Sequence, residues 1–400
     1  MIPKNFTEII APYLLEDFFY TYWGKNFLII SGSQEKFSNL LPWSKFNLIL
    51  SEHRLSSPRL RLVLNGQNIP ESSYIIYNKA RRGDSIPRLL PVEFNRHLRE
   101  GATLVLDAID EMVFEIRDMA EILEKTFHEY IQVNAYASWG TTRGFDLHWD
   151  DHDVIIMQIH GRKKWGIYGE ARKYPLYLDI EPNKTPPESP VWEGTLVAGD
   201  FLYIPRGWWH VATALAEPSL HLTFGINNRT VIDLLQWLID QLRAKELFRS
   251  DLPRFAIETE QIETLNRVKD LFLEEWDSKL LTRFFEDYDS KAFPRVKLGL
   301  PWTALPDILP SSDDIYLKMT TARTVILSVK EEEGIFLFCS NGKVWQFAIE
   351  TLGLINKMIP GETCSMKEIY SSVEGKLDRS TVKFFLSELI LEGLVAIVNE

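Results

Sequence analysis

Cysteine is almost missing from this 400-residue chain. Cys339 and Cys364 stand far apart and in no CxxC pattern, which excludes a disulfide framework and argues against a structural zinc site. Long apolar runs are missing too. None approaches the roughly 20 residues that a membrane-spanning helix needs. The opening MIPKNFTEIIAPYLLEDFF carries acidic residues within its apolar stretch and has no small-residue cleavage site, so a signal peptide is not expected and a cytoplasmic location is. Positive charge is in deficit: 44 Lys and Arg face 56 Asp and Glu, for a net charge of −12. Phosphate binding needs a basic surface, so direct nucleic-acid binding is not expected, whereas a basic protein or peptide partner suits the field. There is no internal repeat and no low-complexity tract.

What is present is a chain 45% apolar and 12% aromatic, with twelve Trp and 23 Phe. That is enough for a large core and for two or three domains. Helix then strand is expected over 1–30, a helix over 36–56, strands over 59–65 and 73–78, and a helix over 92–101 ended by Gly101. A buried strand over 103–109 leads into a long amphipathic helix over 110–128. From 130 to 227 the pattern changes to short runs such as IQVNAYASW, DVIIMQIHG, KKWGIYG, GTLVAGDFLYIP and SLHLTFGIN. These are rich in β-branched and aromatic residues and separated by Gly, Pro and Asp, so they predict a β-sandwich or small barrel. Beyond 228, VIDLLQWLIDQLRAKELF and IETLNRVKDLFLEEWDSKLLTRFFEDY predict long amphipathic helices. A Pro-marked linker covers 293–310. Strands TVILSVK and GIFLFCS follow, then helices near 345–358, 365–372 and 379–391 and a terminal strand, the order of a winged-helix module.

The chemistry concentrates in Gly144-Phe-Asp-Leu-His148-Trp-Asp150-Asp-His-Asp-Val154. On extended backbone, residues i and i+2 share a face, so His148 and Asp150 can reach one metal. A third ligand is available sixty residues on, where Gly199-Asp-Phe-Leu-Tyr-Ile-Pro-Arg-Gly-Trp-Trp-His210 reads as turn, strand, turn and a His at a strand start. Two His and one carboxylate form a facial triad that leaves coordination positions open, as non-haem Fe(II) oxygenases require. The adjacent pair His152 and Asp153 lacks this parity. His160 has no partner at useful spacing, and His221 reads more readily as core than as a cavity residue. Asp146, Asp151 and Asp153 crowd the expected mouth of the site, where they would attract a cationic side chain or a basic peptide. Asn134 and Tyr136 share parity and therefore a face.

The segments NAYASWGTTRGFDLHWDDHDVIIMQIHGRKKWGIYG and GTLVAGDFLYIPRGWWHVATA resemble the cupin-like JmjC group that contains the ribosomal oxygenases. The resemblance implies Fe(II) at His148, Asp150 and His210, with O2 as oxidant and 2-oxoglutarate as cosubstrate. It implies Lys163, in the context Gly161-Arg162-Lys163-Lys164-Trp165, on the distal carboxylate of 2-oxoglutarate; strand alternation then turns Arg162 and Lys164 outward. It also implies Asn134, Tyr136 and Thr223 in the cosubstrate and substrate pocket. The expected fold is mainly β plus α: a JmjC/cupin double-stranded β-helix (jelly-roll) core with an N-terminal helix–strand extension over 1–227, a helical dimerisation region over 228–300, and a winged-helix-like domain over 301–400. Six Lys and Arg against eight Asp and Glu in 341–400 point that last domain to structure or peptide docking. The expected activity is hydroxylation of a protein or peptide side chain, on a ribosomal protein residue by resemblance, by a homodimer. Tailoring of a biosynthetic precursor peptide or small molecule, and a non-catalytic cupin-like binding module, are the competing readings. Histone demethylation is disfavoured, since no chromatin-reading sequence is present.

Overall fold

Nearly every position of the strand Asp153–His160 is buried, because its two faces serve two different cores. Ile155, Met157 and Ile159 join a large core shared with the helices. Val154 and Ile156 join a smaller one with Trp165, Ile167, Leu196, Leu202 and Ile204. The second core lies between two sheets. A computed structural model describes residues 2–79, 83–176, 185–304, 309, 315–321, 323, 326–359 and 361–398, and the chain divides into two units, Met1–Asn228 and Arg229–Glu400.

In the first unit, eight antiparallel strands run in the order Leu28–Ile30, Phe201–Ile204, Asp153–His160, Ser219–Ile226, Ile131–Ser138, Thr103–Leu106, Leu60–Leu64 and Gln67–Asn68. A three-stranded antiparallel sheet, Trp192–Val197, Arg162–Glu170 and Trp208–Ala214, faces it. Helices cover the outer face of the large sheet: Ile116, Met119, Ala120 and Leu123 of Phe114–Phe127 are buried against it. Much of the aromatic content sits in this layer, where Trp23 stacks on Phe127 at 4.6 Å and on Tyr203 at 5.6 Å. Each such ring buries a large apolar area.

Alternation along the strands makes the cavity. On Ile131–Ser138, Ile131, Val133, Ala135 and Ala137 enter the helix-side core, which turns Gln132, Asn134 and Tyr136 toward the facing sheet. On Ser219–Ile226, Leu220, Leu222, Phe224 and Ile226 do the same, turning His221, Thr223 and Gly225 inward. Apolar side chains seal the inter-sheet space at one end, and these polar ones line the rest. The chain crosses from one sheet to the other at Gly161, whose φ is +64°. A Cβ there would stand 1.9 Å from the Pro218 carbonyl oxygen, so the crossing requires glycine.

Several elements differ from the sequence reading. GTLVAGDFLYIP is two strands in different sheets, joined by a turn in which Asp200 Oδ2 accepts from the Val197 amide at 2.8 Å. The expected helix near 345–358 begins later: Lys343–Ala348 is a strand paired with Ile335–Ser340, and a 3-10 turn over Ile349–Thr351 leads into an α-helix over Leu352–Met358. Asn341-Gly342, with φ of 54° and 72°, is a tight hairpin turn that the apolar periodicity concealed. The long helical run after 260 breaks after Glu258–Glu274 and resumes as Leu280–Ser290, with Asp277 accepting from the Lys279 amide at 2.7 Å. Ser85–Leu89, paired with Ile75–Lys79, and Tyr316–Met319 are strands the reading lacked. Of the expected linker, 305–308 and 310 lie outside the described residues.

In the second unit, Val231–Leu242 starts from a Thr230–Asp233 capping box and packs Leu234, Leu238 and Leu242 against Leu280 and Phe284. Trp237 Nε1 donates to Asp287 at 2.8 Å beside this cluster. The remainder builds a separate core around Leu317, Phe336, Phe338, Leu354, Ile369, Val382 and Leu386.

Candidate metal centre and its cavity

His148 and His210 are paired through their backbones. The His210 amide donates to the His148 carbonyl at 2.8 Å, and the His148 amide donates back at 3.2 Å. This bridge brings the imidazoles to 4.5 Å between ring centroids. Asp150 is held by its carbonyl, which accepts from the Gly207 amide at 2.8 Å. One ligand atom from each of His148, Asp150 and His210 lies within 4.8 Å of the others. His210 Nε2 is 3.4 Å from Asp150 Oδ2, and His148 Nε2 is 3.9 Å from Asp150 Oδ1. Adjacent ligands about 2.1 Å from an octahedral ion stand roughly 3 Å apart, so a small inward adjustment completes a facial set.

The tautomers suit a metal. His148 Nδ1 lies 2.7 Å from the Asp146 carbonyl and His210 Nδ1 lies 2.9 Å from the Trp208 carbonyl. Each Nδ1–H donates to its carbonyl and leaves the Nε2 lone pair for an ion. Burial pushes His210 down to about 4, keeping it neutral and able to ligate at physiological pH.

The three groups open onto a cavity of about 360 Å³. Lys163, 5% exposed, lines it, while Arg162 pairs outside with Glu217 at 2.9 Å and Lys164 with Glu193 at 2.8 Å. Burial alone pushes the Lys163 ammonium down to about 7, and among the described residues no hydrogen bond or ion pair engages it. Asn134, Tyr136 and Thr223 line the same cavity. Asn134 Oδ1 accepts from the Ala108 amide at 3.1 Å, and burial pushes the Tyr136 phenol up to about 12.

The sequence reading passed over other lining residues: Arg61, Gln132, His152, Trp165 and His221. Parity with Thr223 was the available signal for His221, and parity with Lys163 for Trp165. Arg61 carries no such signal. It reaches the cavity from a strand two places away, held by a two-point pair with Asp107 at 2.6 and 2.9 Å. His152, set aside for its spacing, turns in from the loop, its Nδ1 2.9 Å from Asp151 Oδ1. Asp153 is not at the mouth. It is 1% exposed, accepts from the Tyr203 hydroxyl at 2.6 Å and from Asn228, and ties the strands below the site together. His160 lies elsewhere, bonded to the Leu41 carbonyl at 3.1 Å.

A β-sandwich that brings two His and one carboxylate to the cavity of a buried lysine is consistent with a cupin-like core. Residues 111–234 match the family model described as JmjC domain. It is 27% identical over 223 residues to the bifunctional lysine-specific demethylase and histidyl-hydroxylase NO66 of Drosophila pseudoobscura pseudoobscura, covering 55% of this chain and 22% of that protein. Against NO66 of Drosophila melanogaster the identity is 24%, covering 77% of this chain and 48% of that one. The chain thus spans less than half the length of these relatives. The ribosomal oxygenase YcfD of Escherichia coli shares the fold at a TM-score of 0.60 and 16% identity, with 96% of this chain and 98% of that chain covered. Another structure of YcfD is a complex with cobalt and 2-oxoglutarate.

Proposed function

We propose that the protein is an Fe(II)- and 2-oxoglutarate-dependent oxygenase that hydroxylates a protein side chain. The observation that carries this reading is the opening of a two-His, one-carboxylate cluster and a buried, unpaired lysine onto one cavity. His148, Asp150 and His210 would hold the iron, and Lys163 would neutralise the distal carboxylate of 2-oxoglutarate. Bound together with O2, iron and 2-oxoglutarate supply the oxidising power, with succinate and CO2 as by-products. The chain's own part is to hold the ligands in one tautomer, to keep Lys163 dry until an anion arrives, and to present Asn134 and Tyr136 to the substrate. The names of the relatives support oxygenase chemistry: a ribosomal oxygenase in complex with 2-oxoglutarate, and a bifunctional lysine-specific demethylase and histidyl-hydroxylase.

The substrate is read from the same wall. Among the described lining residues the sole carboxylate is Asp150, which the metal would occupy, and the one guanidinium, Arg61, is already paired with Asp107. A lysine side chain would find no counter-ion here, and leaving a charge unpaired in a dry site is costly. Gln132, Asn134 and Asn227 suit a neutral side chain that both donates and accepts, so we favour hydroxylation of a residue such as histidine on a ribosomal protein over lysine demethylation. Mass spectrometry of ribosomal proteins incubated with the enzyme, Fe(II) and 2-oxoglutarate should show one residue heavier by one oxygen, lost in Asp150→Ala. Loss of methyl groups from lysine, with no added oxygen, would reverse the assignment.

We further propose that the helices of the second unit form a homodimer. Glu258–Glu274 has no buried residue, and Ile262, Leu265, Leu273, Trp276, Leu281 and Phe285 are exposed. A partner face burying on the order of 2,000 Å² would account for so much exposed apolar surface. Light scattering giving twice 46.5 kDa would support it, and a monomer at every concentration would exclude it. The order of strands and helices after Tyr316 supports a winged-helix-like domain for docking.

A further inference from the structure

Three neighbouring groups of the cavity have nothing in the protein to bind. Lys163 is buried without a partner. His221 is 3% exposed and its Nδ1 makes no hydrogen bond. Trp165 Nε1 is likewise buried and unpaired, and its ring meets that of His221 edge-on at 5.5 Å and 77°. Buried polar atoms are nearly always satisfied in native proteins, so such atoms collected on one cavity wall call for a ligand. All of these groups can donate, so that ligand accepts: an anion with more than one oxygen.

Strand alternation sets His221 there: its neighbours Leu220 and Leu222 enter the helix-side core, so His221 faces the opposite sheet. The imidazole then lies flat on Tyr136, 4.9 Å between centroids and 7° between planes, with Trp165 closing its edge. Stack and edge together fix the ring. Burial and the nearby Lys163 ammonium hold the imidazole neutral, so it can stand beside a cation without repulsion while both face one anion.

We propose that His221 is a positioning residue for the cosubstrate, its imidazole N–H donating to the same distal carboxylate that Lys163 neutralises. This rests on the reading of Lys163 given above. The cation supplies charge and the imidazole supplies direction, fixing which way the far end of the cosubstrate lies.

The test compares two ligands on Mn(II)-loaded protein by calorimetry: 2-oxoglutarate, and 2-oxovalerate, in which a methyl replaces the distal carboxylate. His221→Phe keeps the stack on Tyr136 and removes the donor. It should weaken 2-oxoglutarate by about tenfold or more, the worth of a hydrogen bond to a charged group, and leave 2-oxovalerate within about twofold. His221→Asn, which retains an N–H, should recover most of the loss, and His221→Leu should repeat the Phe result if Phe packs poorly. Equal weakening of both ligands marks a merely structural histidine and overturns the proposal, as does unchanged 2-oxoglutarate binding. Lys163→Met separates the two layers of the argument. If it too leaves 2-oxoglutarate binding unchanged, the cosubstrate reading itself fails; if only the His221 variants are silent, Lys163 acts without it.

Discussion

Proton linkage at Lys163 gives the sharpest prediction. In the empty cavity burial holds the ammonium at about 7, against an ordinary 10.5. A carboxylate beside it favours the charged form and raises that value again. Both carboxylates of 2-oxoglutarate are ionised throughout the neutral range, so only the lysine must gain a proton for binding above pH 7. Below pH 7 it is already charged, and affinity should be nearly flat. Above pH 7, each unit should weaken 2-oxoglutarate about tenfold, or about 1.4 kcal/mol, until the value of the occupied site is reached. At pH 8 nearly one proton should be taken up per ligand, visible as a dependence of the binding enthalpy on the ionisation enthalpy of the buffer. Lys163→Met should bind weakly with no such slope. The empty Lys163→Met protein should also be the more stable one at pH 7. The unfolded chain holds the lysine proton up to 10.5 and the folded chain only to about 7, so stability rises with pH between those values and the full penalty applies below them. An affinity that stays flat from pH 7 to 9, or a methionine variant with the wild-type slope, would refute this account of Lys163 as a dry, partnerless cation.

Other expectations follow from single contacts. Asp150→Ala removes the sole anionic ligand and should weaken Mn(II) or Co(II) by about a hundredfold or more, abolishing the rise in Tm on adding metal; retained affinity would move the metal elsewhere. Gly161→Ala places a methyl against the Pro218 carbonyl at a positive φ, which should cost about 1–3 kcal/mol in denaturant titration, and an unchanged midpoint would mean the crossing can be made another way. Asp153→Ala strands the buried Tyr203 hydroxyl and the Asn228 amide and should cost about 1–3 kcal/mol while leaving the affinity of the metal site near normal, a combination that a mouth-lining acid would not give.

The sequence alone carried the parts of the site that depend on period. His148 and Asp150 face one way because extended backbone repeats every two residues, and once the family resemblance places Lys163 in the pocket the same rule turns Arg162 and Lys164 outward. The short strands between 130 and 227 announced a β-sandwich or small barrel. Tertiary structure decided what parity leaves open. When both faces of a strand are buried, as in Asp153–His160, alternation cannot say which face meets a cavity and which meets the helices. Hence His221 read as core, although its neighbours Leu220 and Leu222 are the ones that enter the helix-side core. Arg61 reaches the site only because the Leu60–Leu64 and Thr103–Leu106 strands extend the sheet beyond Ile131–Ser138, a pairing set by long-range packing. Asp153 looked like a surface acid beside its neighbours, yet Tyr203, fifty residues away, and Asn228 satisfy it in the interior. Local periodicity fixes directions along one segment, whereas the burial of a polar group depends on partners that only the folded chain brings within reach.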